Sequence, residues 1–195
     1  MIYIVTGFTR SGTSMMMNCL IAGGMTAEYV EGNQREAYYI ADEGYHPNQQ
    51  GYRQLDVIDI KRPDFPECFD GKLIKMPIYW WTGSRGYGGR KIEIPYKAIF
   101  MRRDWQEQIL SRRRLDDHVN KRKDGRLIPS REPIYREIVP EVIANAKTYD
   151  EVWYPIAVFN PLPVFEMLKD HGWPIDPEQA AEVPNPKLRH YNIKG

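Results

Sequence analysis

Residues 7–14, GFTRSGTS, set Gly7 and Gly12 five positions apart and carry Arg10, Ser11, Thr13 and Ser14 between and after them. Glycines at that spacing let a backbone turn tightly, so that its N–H groups converge at the start of the next helix, which is an anion site by geometry and dipole. The spacing is that of a phosphate-binding loop, but Thr13 stands where loops that use nucleoside triphosphates place lysine. The acidic residue that would help hold magnesium is also poorly provided, since Asp104 follows its strand only after Arg102 and Arg103. Positive charge enters instead through Arg10, three positions before Thr13. A βα turn that binds nothing would need neither this arginine nor three hydroxyls.

A second constellation lies far along the chain. The stretch IFMRRDWQEQILS puts Arg103 at the end of an apolar run and Ser111 eight positions later, about two helical turns into the next element. Cations at a helix start oppose the helix dipole unless an anion is bound there. Lys75 closes another short apolar run, at the strand end where open α/β sheets bind ligands.

Together these residues resemble the sulfotransferases that use 3′-phosphoadenosine 5′-phosphosulfate (PAPS) and release 3′-phosphoadenosine 5′-phosphate (PAP). Their 5′-phosphosulfate loop reads approximately G-x-x-[KR]-S-G-T-[ST], and GFTRSGTS fits every specified position. The resemblance implies that Gly7, Thr9, Arg10, Ser11, Gly12, Thr13 and Ser14 hold the 5′ side of the cofactor and that Arg103 and Ser111 hold its 3′-phosphate. It also implies that Arg10 is the loop's catalytic cation and that no catalytic metal is needed, while Lys75, by its place at a strand end, is the candidate to face the transferred group. Further echoes are IKMP at 74–77, NPLPVFEMLKDHGWPIDP at 160–177 and PNPKLRHY near the C-terminus.

The base differs among family members. Cytosolic ones use a histidine in a K-T-H-like segment, where this chain has Lys75, Met76 and Pro77, so that mechanism is not carried over. Tyrosylprotein-type members use a glutamate about 21 positions after the loop's basic residue. The same count from Arg10 reaches Glu31, with Glu36 as the alternative on the same segment. No aromatic follows the loop at Met15–Asn18, so the residue that stacks on adenine is not identified.

Elements that could position these groups follow from periodicity. Strands are expected at 2–6, 27–30, 72–76, 97–101 and 152–158, and helices at 13–22, 104–118, 132–147 and 161–171. Gly172 and Pro174 stop the last helix. Segment 32–70 reads as loop with short helical pieces, and 82–91 as a glycine-rich loop. The alternation predicts an α/β fold, and the P-loop resemblance implies a five-stranded parallel sheet in the order 2-3-1-4-5.

The 195 residues are most simply one domain, 1–195. A net charge of +1 gives no global pull toward nucleic acid or membrane, so neither is expected as a partner. Two cysteines without metal or redox spacing, and no signal-like N-terminus, point to a cytoplasmic soluble protein. The acceptor, a hydroxyl or amine on a small molecule or macromolecule, is not specified. Two other readings remain: a P-loop small-molecule kinase, and a non-catalytic nucleotide- or RNA-binding module using the basic stretch 102–136.

Overall fold

The run IYIVTG forms the first strand, β1, Ile2–Gly7, in which Ile2, Ile4 and Val5 are fully buried. Apolar residues at consecutive positions mark a strand covered on both faces, as parallel strands are. The structure is a computed structural model and describes residues 1–8, 10–28, 63–76, 95–111 and 146–186. Three further strands, β2 (Leu73–Lys75), β3 (Tyr96–Arg102) and β4 (Thr148–Trp153), join β1 in one sheet of order β2-β1-β3-β4. All three pairings are parallel, with Val5 opposite Lys75 and Gly7 opposite Met101. The strands therefore end together, and the loop after β1 lies between the ends of β2 and β3.

Helix α1, Thr13–Ala22, follows that loop at the expected boundaries. It packs Met16, Met17, Cys19 and Leu20 against Val5, Ile99, Met101 and Val152, one from β1, two from β3 and one from β4. Each such side chain contributes roughly 1.5–3 kcal/mol when fully buried, which fixes the loop's C-terminal end to the sheet. Residues 105–111 form α2, and Asp104 caps it by accepting from the Glu107 N–H at 3.1 Å. Beyond β4 come α3 (Tyr154–Phe159), α4 (Pro161–Asp170) and α5 (Pro177–Ala181). Helix α4 stops at Gly172, with φ 80°, as the glycine signal predicts.

Two expectations need correction. The strand expected at 152–158 runs instead over Thr148–Trp153, and Tyr154–Phe159 is helical. Pro155 cannot donate to a ladder, whereas its fixed φ suits the first helical turn. The polar start, Thr148-Tyr149-Asp150, hides the true strand. Asp150 is nonetheless buried, accepting from Trp173 Nε1 at 2.9 Å and contacting the His171 ring. The helix expected at 132–147 does not reach its C-terminal end: residues 146–147 are not helical, and β4 begins at Thr148. Its first part, 132–145, lies outside the described residues, as do 112–118 of the helix expected at 104–118.

The strand expected at 27–30 is represented by one parallel bridge, Ala27 to Leu73, and residues 29–30 lie outside the described part. Of segment 32–70, residues 63–70 are turns with a short 3-10 helix, Glu67–Phe69. The rest of that segment, and the glycine-rich 82–91, also lie outside it. Among the described residues no helix is long and apolar enough to cross a membrane.

Candidate functional site

The loop between β1 and α1 is built on backbone conformations that ordinary side chains avoid. Gly12, with φ 98°, brings its Cα so close to Tyr154 that an added Cβ would lie 2.2 Å from the ring. Gly7, with φ 155°, would place a Cβ 2.5 Å from Ser11 Oγ and 2.9 Å from the Met101 carbonyl. Arg10 adopts φ 71° without being glycine, a conformation that costs about 1–2 kcal/mol and persists where other contacts hold it. Those contacts come from β3 and α2.

Arg10 Nε donates to Ser111 Oγ at 2.9 Å, and Arg103 Nη1 donates to the Arg10 carbonyl at 3.3 Å. Two motifs separated by about ninety residues thus meet at one place. Ser111 is buried, on the inner side of α2. Arg103 leaves the end of β3 and is held flat, with Cζ 4.5 Å from the centre of the Tyr154 ring. Its Nε pairs with Glu107 Oε2 at 2.9 Å, and the two side chains are only 7% and 5% exposed. Gln108 Nε2 donates to the Arg103 carbonyl at 2.8 Å, which fixes the turn from strand to helix.

On the other flank of the loop, Lys75 leaves the end of β2 and is 2% exposed. Its Nζ donates to Ser14 Oγ at 3.0 Å, in the first turn of α1. That turn has no acidic residue and, among the described residues, no side-chain cap, since Gly12 has no side chain, so the helix start presents N–H groups and partial positive charge toward the loop. Ser11 Oγ is buried beside it and has no hydrogen-bond partner among the described residues. An orphaned buried hydroxyl costs free energy that an additional acceptor or donor would recover. Arg10, Lys75 and Arg103 therefore bring three cations to the loop, with Glu107 paired to Arg103 and Asp104 at the start of α2.

Of the residues expected from sequence, Gly7, Arg10, Ser11, Gly12, Thr13, Ser14, Lys75, Arg103 and Ser111 are brought together at the C-terminal ends of β1, β2 and β3. Thr9, Glu31 and Glu36 lie outside the described residues. Arg10 turns toward Ser111, so in this state it joins the β3–α2 side of the loop and leaves the β2 side to Lys75. Two residues of the site were not anticipated. Glu107 could have been found from its i,i+4 spacing to Arg103. Tyr154 was hidden by its assignment to a strand.

A cavity of about 220 Å³ adjoins Arg103, lined by Phe8, Arg102, Trp105, Gln108 and Trp153 among others. Arg102 lies over the Trp153 ring, 5.2 Å from its centre. No protein-family model matches the chain, and no curated protein matches it.

Proposed function

We propose that the protein transfers a sulfuryl group from PAPS to a hydroxyl or amine acceptor and releases PAP. The observation that carries this reading is the meeting of Arg10, Arg103 and Ser111, since two motifs read separately along the sequence converge on one anion-binding loop. Bound there, PAPS would supply an electrophilic sulfur with a phosphate leaving group. The residues present fit such a ligand: a helix start and a buried Ser11 hydroxyl that lack side-chain partners among the described residues, together with three cations, suit a nucleotide that carries both a 3′-phosphate and a 5′-phosphosulfate.

In this mechanism Lys75 and the first turn of α1 hold developing negative charge as the acceptor oxygen or nitrogen bonds to sulfur and the bond to the leaving phosphate breaks. Arg103 and Ser111 anchor the 3′-phosphate, and Arg10 links that anchor to the loop. Glu31 takes the acceptor's proton. Glu31→Gln is expected to leave PAP affinity nearly unchanged and to slow the chemical step by roughly 10²–10⁴. Damage from Glu36→Gln in its place would move the role to that residue. The same reading completes the sheet: a strand over 27–30, opened by the bridge at Ala27, gives the order 2-3-1-4-5.

A phosphoryl-transfer reading is weakened by Lys75. In magnesium-dependent loops the hydroxyl at the Ser14 position holds the metal, whereas here it accepts from an ammonium group. Thermal shift with PAP, with ATP plus magnesium and with an oligonucleotide separates the three readings. A ligand at 100 times its dissociation constant adds roughly 2.7 kcal/mol of stability. Stabilisation by PAP and not by the other two is expected; stabilisation by ATP plus magnesium alone would overturn the proposal.

A further inference from the structure

Arg103 already has an anion. Its Nε is bonded to Glu107 Oε2 at 2.9 Å, its Nη1 to the Arg10 carbonyl at 3.3 Å, and its flat face to Tyr154. A guanidinium carries five N–H groups, and these contacts consume the Nε end while directing the Nη edge toward Arg10. Glu107 therefore does two opposing things. It orients the fork, and it sets a carboxylate against the same guanidinium that a bound phosphate would use. Both side chains are nearly buried, at 7% and 5% exposure, so water and salt screen that charge poorly.

We propose that Glu107 is a resident counter-charge that competes with the ligand's 3′-phosphate for Arg103 and so keeps the site from holding its nucleotide too tightly. This rests on the PAPS reading, in which Arg103 binds the 3′-phosphate. Two like charges separated by one guanidinium in a poorly screened site oppose each other strongly enough to alter affinity by about tenfold or more. Orientation alone would have been served by a neutral acceptor. A glutamine offers the same length and an oxygen for Nε, so replacing Glu107 by glutamine isolates the charge.

The test compares PAP with adenosine 5′-phosphosulfate, which lacks the 3′-phosphate, by calorimetry on the wild type, Glu107→Gln, Glu107→Met and Glu107→Asp. In Glu107→Gln, PAP is expected to bind about tenfold tighter while adenosine 5′-phosphosulfate changes by less than about twofold. Glu107→Asp keeps the charge and is expected to show no such selective gain. If Glu107→Gln does not fold, Glu107→Met carries the same neutral-charge comparison. Unchanged or weaker PAP binding in a folded neutral variant overturns the competition, as does failure of both neutral variants to fold, which would make Glu107 a support of the fold. A wild type that binds both ligands equally overturns the inference but leaves a nucleotide site standing. A wild type that binds neither overturns the proposed function with it.

Discussion

At the scale of single residues, Gly12 separates two costs that are usually confounded. Its φ of 98° disfavours any side chain, and its Cα also lies against Tyr154, where a Cβ would be 2.2 Å from the ring. Gly24 has almost the same φ, 100°, with nothing within 4 Å of the corresponding position. Gly24→Ala should therefore cost only the backbone strain, about 1–2 kcal/mol, whereas Gly12→Ala should lower the melting temperature further and abolish PAP binding. Similar losses in both would mean that the approach of the loop to Tyr154 is not needed. Arg103 is tested by ligand instead. A charge-assisted hydrogen bond contributes roughly 1.5–3 kcal/mol, so Arg103→Ala should weaken PAP by about 10- to 150-fold and adenosine 5′-phosphosulfate far less. Equal losses would assign Arg103 to the fold, where its contact with Tyr154 already gives it a place.

At the scale of elements, strand ends and helix ends share their polar groups, and β3 shows the consequence. Lys97 is buried near the start of that strand, and its Nζ donates to the His171 and Gly172 carbonyls at 2.6 and 2.8 Å, closing the C-terminus of α4. Burial first, and then the charge of Lys147, push its pKa below the ordinary value of 10.5, while Asp150 opposes them. The folded state thus releases this proton at lower pH than the unfolded chain does. Stability should rise with pH between the lowered folded-state value and 10.5, because there the unfolded chain holds more protons. Denaturant titrations should show that rise in the wild type and a flatter profile in Lys97→Met; identical profiles would refute it. Lys97 also illustrates what the sequence conceals. The bounds of α1 and the glycine stop of α4 are legible because periodicity and capping are local. The start of β4 is not, because the burial of Asp150 depends on Trp173 and His171, more than twenty residues away. The candidate loop was legible for the same local reason. The contact of Arg10 with Ser111 was not, since it depends on which strand lies beside β1.

For the whole molecule, the site and the core are mechanically one object, because the helix that opens at the loop also packs its buried face on the sheet. Cys19 reports on that object. It is fully buried between α1 and the sheet, and burial pushes its thiol up to about 12. At pH 8 a thiol of that pKa is ionised about once in ten thousand molecules, and the thiolate is the reactive form. Cys68 is only partly buried and lies beyond α1, in the 3-10 turn before β2. A disulfide reagent should therefore label Cys68 in the native protein and Cys19 only when α1 separates from the sheet. A ligand held by the loop must be released before that opening, so PAP at 100 times its dissociation constant should slow Cys19 labelling by about 100-fold and leave Cys68 nearly unaffected. Equal labelling of both thiols would show that α1 lifts from the sheet without global opening. Slowing of Cys68 alone would place the ligand at the turn before β2, away from the loop that joins β1 to α1.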